Sequence, residues 1–164
     1  MARAWLITGG NSGDVAKRLA EALRMIASEA GRIAAYSSVR SSEAWGFSSE
    51  PFLNQAVEIE TALTPEALLE RLQAIEQALG RDRNAERHEK ERTGQRYASR
   101  PVDIDILFYD DEIIETPRLT IPHPAIGERA FVLEPLAEIA PHKVHPLTGL
   151  TVEQTAQRLK NRKL

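Results

Sequence analysis

The chain has 164 residues, of which 42% are hydrophobic and 27% are charged, as is ordinary for a globular protein. Its net charge of −3 argues against a general nucleic-acid binder, and the absence of cysteine excludes disulfides and thiolate metal sites. Because no apolar run has the length of a signal-peptide core or a membrane span, we expect one soluble, cytoplasmic domain over residues 1–164.

The first predicted elements are a strand, a turn and a helix. Ala4–Thr8 is continuously apolar, which is typical of a central strand in a sheet. The glycine-rich turn Gly9–Asp14 follows, and Ser12 or Asp14 can cap the next helix. Apolar residues at helical spacing predict that this helix covers Val15–Ala30.

A strand, a glycine-rich turn and a helix also begin dinucleotide-binding folds, and Thr8–Gly13 resembles the start of a short-chain dehydrogenase. That interpretation fails because Val15 stands where the last glycine belongs. None of Tyr36, Tyr97 and Tyr109 is followed by lysine four residues later. The chain is also too short for six or seven parallel strands with their crossovers.

Two further strands are predicted, over Arg32–Arg40 and over Leu53–Leu63, where apolar and acidic residues alternate. The intervening loop, Ser41–Phe52, carries aromatic residues around a glycine: Trp45, Gly46, Phe47 and Phe52. Aromatic side chains in a loop indicate either a flat apolar ligand or a small satellite core, and the sequence leaves both open.

A second helix begins at Thr64 and Pro65 and ends at Gly80. The next segment, about Arg81–Arg100, is highly charged and has almost no apolar residues. A loop of this length in a compact domain is usually a lid or a disordered insert. We favour a mobile lid over a merely solvated loop, because the segment leads directly into Arg100 and the most informative strand of the chain.

That strand covers Val102–Tyr109. Alternation puts Asp103 and Asp105 on one face together with Leu107 and Tyr109, and the remaining apolar side chains on the other. Two neighbouring carboxylates on a covered surface repel each other, and a bound divalent cation removes that cost.

The chemistry of this pair favours magnesium. Mg²⁺ prefers one or two carboxylates together with phosphates and water, and an Asp-x-Asp pair can hold one ion or bridge two. The alternative is a solvated polar face at a strand edge. The magnesium hypothesis is favoured by nearby groups that can meet phosphate oxygens, namely Arg100, Arg118, His123 and Arg129.

The C-terminal third begins with a brief strand at Ile113–Ile114 and an extended, proline-rich segment. Helices are predicted over Ile126–Leu136 and Thr151–Leu159. The complete order is β-α-β-β-α-β with a small C-terminal helical addition. It predicts an α+β, ferredoxin-like fold whose largely antiparallel sheet has helices on one face and the other face free for a site.

Three blocks of the sequence carry a family resemblance: Arg100–Leu107, Arg118–His123 and Arg129–Leu136. Supporting positions are Gly9, Asn11, Phe52–Asn54, Gln73, Glu76 and Gly80–Arg83. In these residues, and over nearly its whole length, the chain resembles the 6-hydroxymethyl-7,8-dihydropterin pyrophosphokinases of folate biosynthesis. The resemblance implies transfer of pyrophosphate from MgATP to the hydroxymethyl group of the reduced pterin, with release of AMP.

The resemblance also implies roles for individual residues. Two Mg²⁺ ions would be held by Asp103 and Asp105, which form the catalytic set with Arg100 and His123. ATP would be bound by Gln73, Arg81, Arg83, Ile106, Arg118, Thr120 and Arg129. The pterin would lie between Phe52 and Phe131, with Asn54 on its amide edge and Gly46 nearby. These substrates are small molecules, so no nucleic-acid or membrane partner is expected, and the protein would be a monomer or weak dimer.

The sequence departs from the family pattern at Gly10, at Ser41–Glu43 and at Ala125. It leaves open whether Arg87 or Arg96 of the lid meets the nucleotide, and it offers no convincing general base. Two other functions stay open at this point. One is a different magnesium-dependent transferase, such as a nucleotidyl or glycosyl transferase. The other is a non-catalytic ligand-binding module with a ferredoxin-like fold.

Overall fold

The computed structural model describes residues 1–11, 13–42, 51–80 and 102–162. The predicted lid, the site residues Arg81, Arg83 and Arg100 and the pterin-loop residue Gly46 lie outside these ranges. In the described ranges, no helix is long and apolar enough to cross a membrane.

The described elements follow the predicted order closely. The strands are β1 (Ala2–Gly10), β2 (Arg32–Tyr36), β3 (Arg40–Ser42), β4 (Phe52–Thr61), β5 (Asp103–Tyr109), β6 (Ile114–Glu115) and β7 (Thr120–Ile121). The helices are α1 (Val15–Glu29), α2 (Pro65–Ala78), α3 (Ala130–Ile139) and α4 (Val152–Arg162).

The main sheet has the strand order β2-β4-β1-β5, and every pair in it is antiparallel. The short strand β3 continues along the same edge of β4 as β2. A separate two-stranded sheet is formed by β6 and β7. This arrangement confirms the predicted ferredoxin-like fold, with β1 and β4 in the centre and β5 at an edge.

Helices α1 and α2 pack on the first face of the sheet, the face that carries Leu6, Ile59 and Ile106. Both helices begin at predicted caps: Asp14 accepts a hydrogen bond from the backbone of Lys17, and Thr64 accepts one from that of Ala67. The apolar stripes of the two helices supply the rest of this core.

The second face of the sheet carries Trp5, Ile7 and Ala56, and it forms another core with residues of α3 and α4. The expectation that this face stays free was therefore wrong for much of its area. Its apolar residues need a cover, and the C-terminal helices provide it. The site must lie at the end of this face, where β1 ends and β5 begins.

A β-bulge at Leu107 corrects the predicted faces of β5. Trp5 pairs with Phe108 but its neighbour Leu6 pairs with Ile106, so Leu107 is the extra residue. Beyond the bulge the faces are exchanged: Phe108 lies in the second-face core, and Tyr109 lies on the first face. Before the bulge the alternation holds as predicted.

The predicted strand Arg32–Arg40 is divided at Ser37. Its hydroxyl group accepts a hydrogen bond from the backbone N–H of Ala56 and donates one to the carbonyl of Ser38. The Ser37 side chain thus replaces a strand carbonyl as the acceptor for the Ala56 N–H, and regular strand pairing resumes at Arg40.

The helix predicted from Ile126 begins four residues later, at Ala130. Turns occupy the intervening residues, and Gly127 has a φ of 99°, which does not fit a right-handed helix. As a result Arg129 is the residue before the first turn of α3 rather than a helical residue.

The exchange of faces at Leu107 can be tested through Tyr109, whose hydroxyl group donates a 2.6 Å hydrogen bond to the carbonyl of Leu63. Tyr109→Phe should lower the free energy of unfolding in urea by about 1 kcal/mol. Tyr36→Phe is the control, because that side chain is 59% exposed and should change little. Equal stability of the two variants would contradict the placement of Tyr109 on the first face.

Candidate active site

The site is built on a row of residues at the end of the second face. In the antiparallel register Asn54 of β4 lies opposite Gly9 of β1, and Gly9 lies opposite Asp103 of β5. Residues directly opposite in antiparallel strands point to the same face. The amide of Asn54 and the carboxylate of Asp103 therefore flank a position that has no side chain.

The lack of a side chain at Gly9 is a requirement of this row. A Cβ atom there would lie 2.3 Å from Nδ2 of Asn54, far inside the van der Waals distance. Glycine is thus the residue that leaves the Asn54 amide in position and the space beside it open. This constraint explains the position structurally, whereas the sequence alone marked Gly9 only as a supporting match.

Asp103 and Asp105 are both half-buried on the second face, and Asp105 lies opposite Ile7. Within the described ranges, no group of three or more acidic or histidine side chains is arranged as a complete metal site. A pair of carboxylates nevertheless suits Mg²⁺, which completes its octahedron with water and substrate phosphates. The donor set therefore fits magnesium bound together with a polyphosphate.

His123 lies beside this pair, with Nε2 3.9 Å from a carboxylate oxygen of Asp105. Its backbone N–H donates to the carbonyl of Leu107, and its Nδ1 accepts a hydrogen bond from the backbone N–H of Ala125. Because Nδ1 is an acceptor, the neutral ring carries its proton on Nε2, on the side of Asp105. Ala125 thus contributes to the site through its backbone N–H.

Burial lowers the pKa of His123 below its ordinary value. The negative charge of Asp103 acts in the opposite direction, and the positive charge of Arg129 adds to the lowering. At neutral pH the ring is therefore an uncharged hydrogen-bond donor.

The start of β5 is held by a buried carboxylate. Glu76 of α2 is 1% exposed, and it accepts a 2.7 Å hydrogen bond from the backbone N–H of Ile104, the residue between the two aspartates. β5 is an edge strand, so this N–H needs a partner outside the sheet. The sequence could have pointed to this role, because Glu76 is an acidic residue beside Leu72 and Ile75 on the buried stripe of α2.

Two half-buried aromatic side chains lie on the second-face side of the sheet, on different elements. Phe52 begins β4 and shares the second face with Asn54, two residues further along. Phe131 lies in the first turn of α3, and the guanidinium carbon of Arg129 is 5.7 Å from the centre of its ring. That distance is compatible with a cation–π contact.

Asn54 is buried, and its carbonyl oxygen Oδ1 has no hydrogen-bond partner among the described residues. Its Nδ2 lies 3.5 Å from the carbonyl oxygen of Thr8, which is a long hydrogen bond. A buried polar atom without a partner is costly, and a ligand that donates to it removes that cost.

The remaining predicted nucleotide residues lie around the outer edge of β5 rather than in the row. Ile106 directs its side chain into the first-face core, which leaves only its backbone for a ligand. Arg118 is exposed, and its guanidinium nitrogen Nη1 lies 3.6 Å from the carboxylate oxygen Oε1 of Glu70 on α2. The same helix carries the half-buried Gln73. Thr120 is exposed in β7. Gln73, Ile106 and Arg118 thus lie on the first-face side of the edge strand, whereas Asp103 and Asp105 lie on the second face.

Comparisons with known proteins agree with one another. Residues 5–141 match the model of the 7,8-dihydro-6-hydroxymethylpterin-pyrophosphokinase family. A 2-amino-4-hydroxy-6-hydroxymethyldihydropteridine pyrophosphokinase of Methylorubrum extorquens is 42% identical, over 97% of this chain and 94% of its own. The enzyme of the same name from Bacillus subtilis is 37% identical, over 95% of this chain and 89% of its own.

Solved structures show the same fold at low sequence identity. A crystal structure described as HPPK-DHPS in complex with substrates superposes with a TM-score of 0.76 at 14% identity, over 99% of this chain and 46% of that one. The Plasmodium falciparum HPPK-DHPS with pteroate gives a TM-score of 0.75, also at 14% identity, over 98% and 45% of the two chains. The present chain thus spans less than half the length of these two-part proteins.

The electrostatics of His123 can be measured by NMR titration of the metal-free protein. We expect the pKa of the ring to lie below that of an exposed histidine. Asp103→Asn should lower this pKa further, because it removes the carboxylate that favours the charged ring. Glu128→Gln, at an exposed position in the adjacent turn, is the control for loss of a negative charge. An increase in the Asp103→Asn variant would contradict the described geometry.

Proposed function

Because this chain belongs to the 7,8-dihydro-6-hydroxymethylpterin-pyrophosphokinase family, we propose that its reaction takes place at the row of Asn54, Gly9 and Asp103. The enzyme transfers a pyrophosphoryl group from ATP to hydroxymethyldihydropterin in folate biosynthesis. The proposal concerns the residues and ions that carry out this transfer. The observation that carries it is the antiparallel register, which brings an amide and a carboxylate to either side of one glycine.

The transfer requires two reactants to meet at one atom. The hydroxymethyl oxygen of the pterin attacks the β-phosphorus of ATP, the bond from that phosphorus to the oxygen bridging the α- and β-phosphates breaks, and AMP leaves with that oxygen. The proton of the hydroxyl group is released. Such a reaction depends chiefly on positioning the two substrates and on stabilising charge.

The magnesium site is the first part of the proposal. Asp103 and Asp105 would hold two Mg²⁺ ions, which neutralise the polyphosphate and its developing charge when bound. The half-burial of both carboxylates on one face of β5 supports this assignment. Arg118 and Arg129 would contribute further positive charge around the phosphates.

His123 would act as a neutral hydrogen-bond donor to the transferred phosphates. Its proton lies on Nε2, since Nδ1 is occupied by the backbone N–H of Ala125. A ring held by its own backbone and by this contact loses little rotational freedom on binding ATP. We do not assign it the role of a base. Burial lowers its pKa, which disfavours taking up a proton, and in this tautomer Nε2 carries a proton to donate.

The pterin would bind on the Asn54 side of Gly9. Asn54 has an unsatisfied carbonyl oxygen and an amide N–H group, which match the donor and acceptor edge of a pterin ring. Phe52 and Phe131 would cover the two faces of the ring. The hydroxymethyl group would then point across Gly9 towards the carboxylates.

Arg81, Arg83, Arg100 and Gly46 remain predicted ligand contacts, as does the closing lid at about 81–100. We further infer that the enzyme acts in the cytoplasm as a monomer or weak dimer. A different magnesium-dependent transferase and a non-catalytic module gain no support from the family match.

A direct test of the activity is a coupled assay of AMP release with ATP, Mg²⁺ and 6-hydroxymethyl-7,8-dihydropterin. AMP should appear only when all three are present. Equal AMP release without the pterin would show ATP hydrolysis instead and would contradict the proposal.

Asp103→Asn and Asp105→Asn should each lower kcat by about 100-fold or more, because each change removes a carboxylate that would hold the magnesium ions neutralising the polyphosphate. Both variants should keep the fold, since neither side chain packs in a core. Far-UV circular dichroism and thermal unfolding check the fold. Glu112→Gln, an exposed charge loss just after β5, is the control and should retain full activity. Activity near the wild-type level in either aspartate variant would exclude a role as a magnesium ligand.

Asn54→Ala should raise the KM for the pterin by roughly tenfold while the KM for ATP changes little, because the lost hydrogen bonds involve only the pterin. Gly9→Ala should act in the same direction, since the added Cβ displaces the Asn54 amide. Asn161→Ala, at an exposed position in α4, is the control. Unchanged pterin KM in Asn54→Ala would remove Asn54 from the binding site.

A further inference from the structure

A second polar cluster joins α3 to the sheet, away from the reacting groups. The carboxylate of Glu138 accepts hydrogen bonds from the backbone N–H of Ser38 at 2.8 Å, from the hydroxyl group of Ser38 at 2.8 Å and from the guanidinium of Arg40 at 3.0 Å. We call this cluster of Glu138, Ser38 and Arg40 the Glu138 clamp.

On the sheet side, the clamp holds the part of the chain that borders the proposed pterin pocket. Ser38 lies in the short segment between β2 and β3, and Arg40 is the first residue of β3. In the register of β3 and β4, Arg40 is directly opposite Asn54, and Ser42 is opposite Phe52. The clamp therefore attaches to the strand that flanks both pterin contacts of β4.

On the helix side, the clamp holds the helix that carries the other aromatic residue. Phe131 lies seven residues before Glu138 in α3, which is two turns of an α-helix. The two side chains therefore point to the same side of α3, about 10 Å apart along its axis. Both can face the sheet, and α3 packs against β3 and β4.

The contacts are more than a single surface ion pair. The Glu138 side chain is 33% exposed, and an isolated pair at such a position contributes little to stability. Here one carboxylate accepts three hydrogen bonds, one of them from the backbone N–H of Ser38, which cannot move without moving the chain between β2 and β3. These hydrogen bonds, above all the one from the Ser38 backbone, lower the pKa of Glu138.

We propose that Glu138 is a positioning residue for pterin binding, a role that rests on the proposed function. The clamp sets the separation between Phe131 on α3 and the pair Phe52 and Asn54 on β4. A ring bound between two aromatic faces needs a separation fixed within a fraction of an ångström, because dispersion attraction falls steeply with distance. Glu138 does not touch the substrates.

The clamp affects the two substrates differently. Pterin binding depends on the fixed faces of Phe131 and Phe52. Arg129, the ATP-side residue next to the same helix, has a long exposed side chain that can follow a small shift of α3. Loss of the clamp should therefore weaken pterin binding more than ATP binding, with a small change in kcat.

The test compares Glu138→Ala with Glu134→Ala, an exposed glutamate one turn earlier in the same helix. Steady-state kinetics give kcat and both KM values, and calorimetry gives the Kd for 6-hydroxymethyl-7,8-dihydropterin. We expect Glu138→Ala to raise the pterin KM and Kd roughly three- to tenfold, as for loss of about one hydrogen bond. The ATP KM should stay within twofold, and Glu134→Ala should match the wild type.

Two further variants separate positioning from general destabilisation. Glu138→Gln keeps one carbonyl oxygen for Ser38 and should recover part of the pterin affinity; it also replaces Glu138→Ala if that variant does not fold. As a single change, Ser38→Ala should weaken pterin binding. In a Glu138→Ala background it should add little, because both changes break the same clamp.

The inference is overturned if Glu138→Ala and Glu134→Ala have the same pterin KM. It is also overturned if kcat and both KM values of Glu138→Ala change together, as for a generally loosened protein. Comparison with Asn54→Ala shows whether a negative result concerns only the clamp or also the proposed function. If Asn54→Ala weakens pterin binding and Glu138→Ala does not, only the clamp role is wrong. If neither variant has an effect, the proposed pterin pocket itself is wrong.

Discussion

The antiparallel register of β4, β1 and β5 is the constraint on which the site depends. It brings residues that are far apart in the chain, Asn54, Gly9 and Asp103, into one row on one face of the sheet. A shift of one residue in either pairing would turn the amide or the carboxylate to the opposite face. The register is itself held by apolar side chains on both faces, so the two cores maintain the geometry of the site.

Much of the fold follows from local patterns in the sequence. The alternation in Leu53–Leu63 and the caps at Asp14 and Thr64 predict elements whose bounds differ from the structure by only a few residues. The bulge at Leu107 was not predictable in this way, because it depends on how β5 pairs with β1. The division at Ser37 was equally hidden, since a serine hydroxyl replaces a backbone partner only when the strands are already aligned.

The same distinction between local patterns and pairings of distant segments applies to the site residues. Asp103 and Asp105 were predicted from their spacing on a single strand, and the register with β1 keeps them on one face. The neighbours of Asn54 and the partners of Glu138 were not predictable, because they come from pairings between distant segments. Glu76 is intermediate: an acidic residue on an apolar helical stripe is a visible signal, but its partner, the N–H of Ile104, is not.

The most direct measurement is a crystal structure of the protein with Mg²⁺, a non-hydrolysable ATP analogue and 6-hydroxymethyl-7,8-dihydropterin. The account predicts magnesium bound by Asp103 and Asp105, the pterin hydrogen-bonded to Asn54, and its hydroxymethyl oxygen directed at the β-phosphorus across Gly9. A complex in which the two carboxylates contact neither an ion nor a phosphate, or in which the pterin lies away from Asn54, would contradict it.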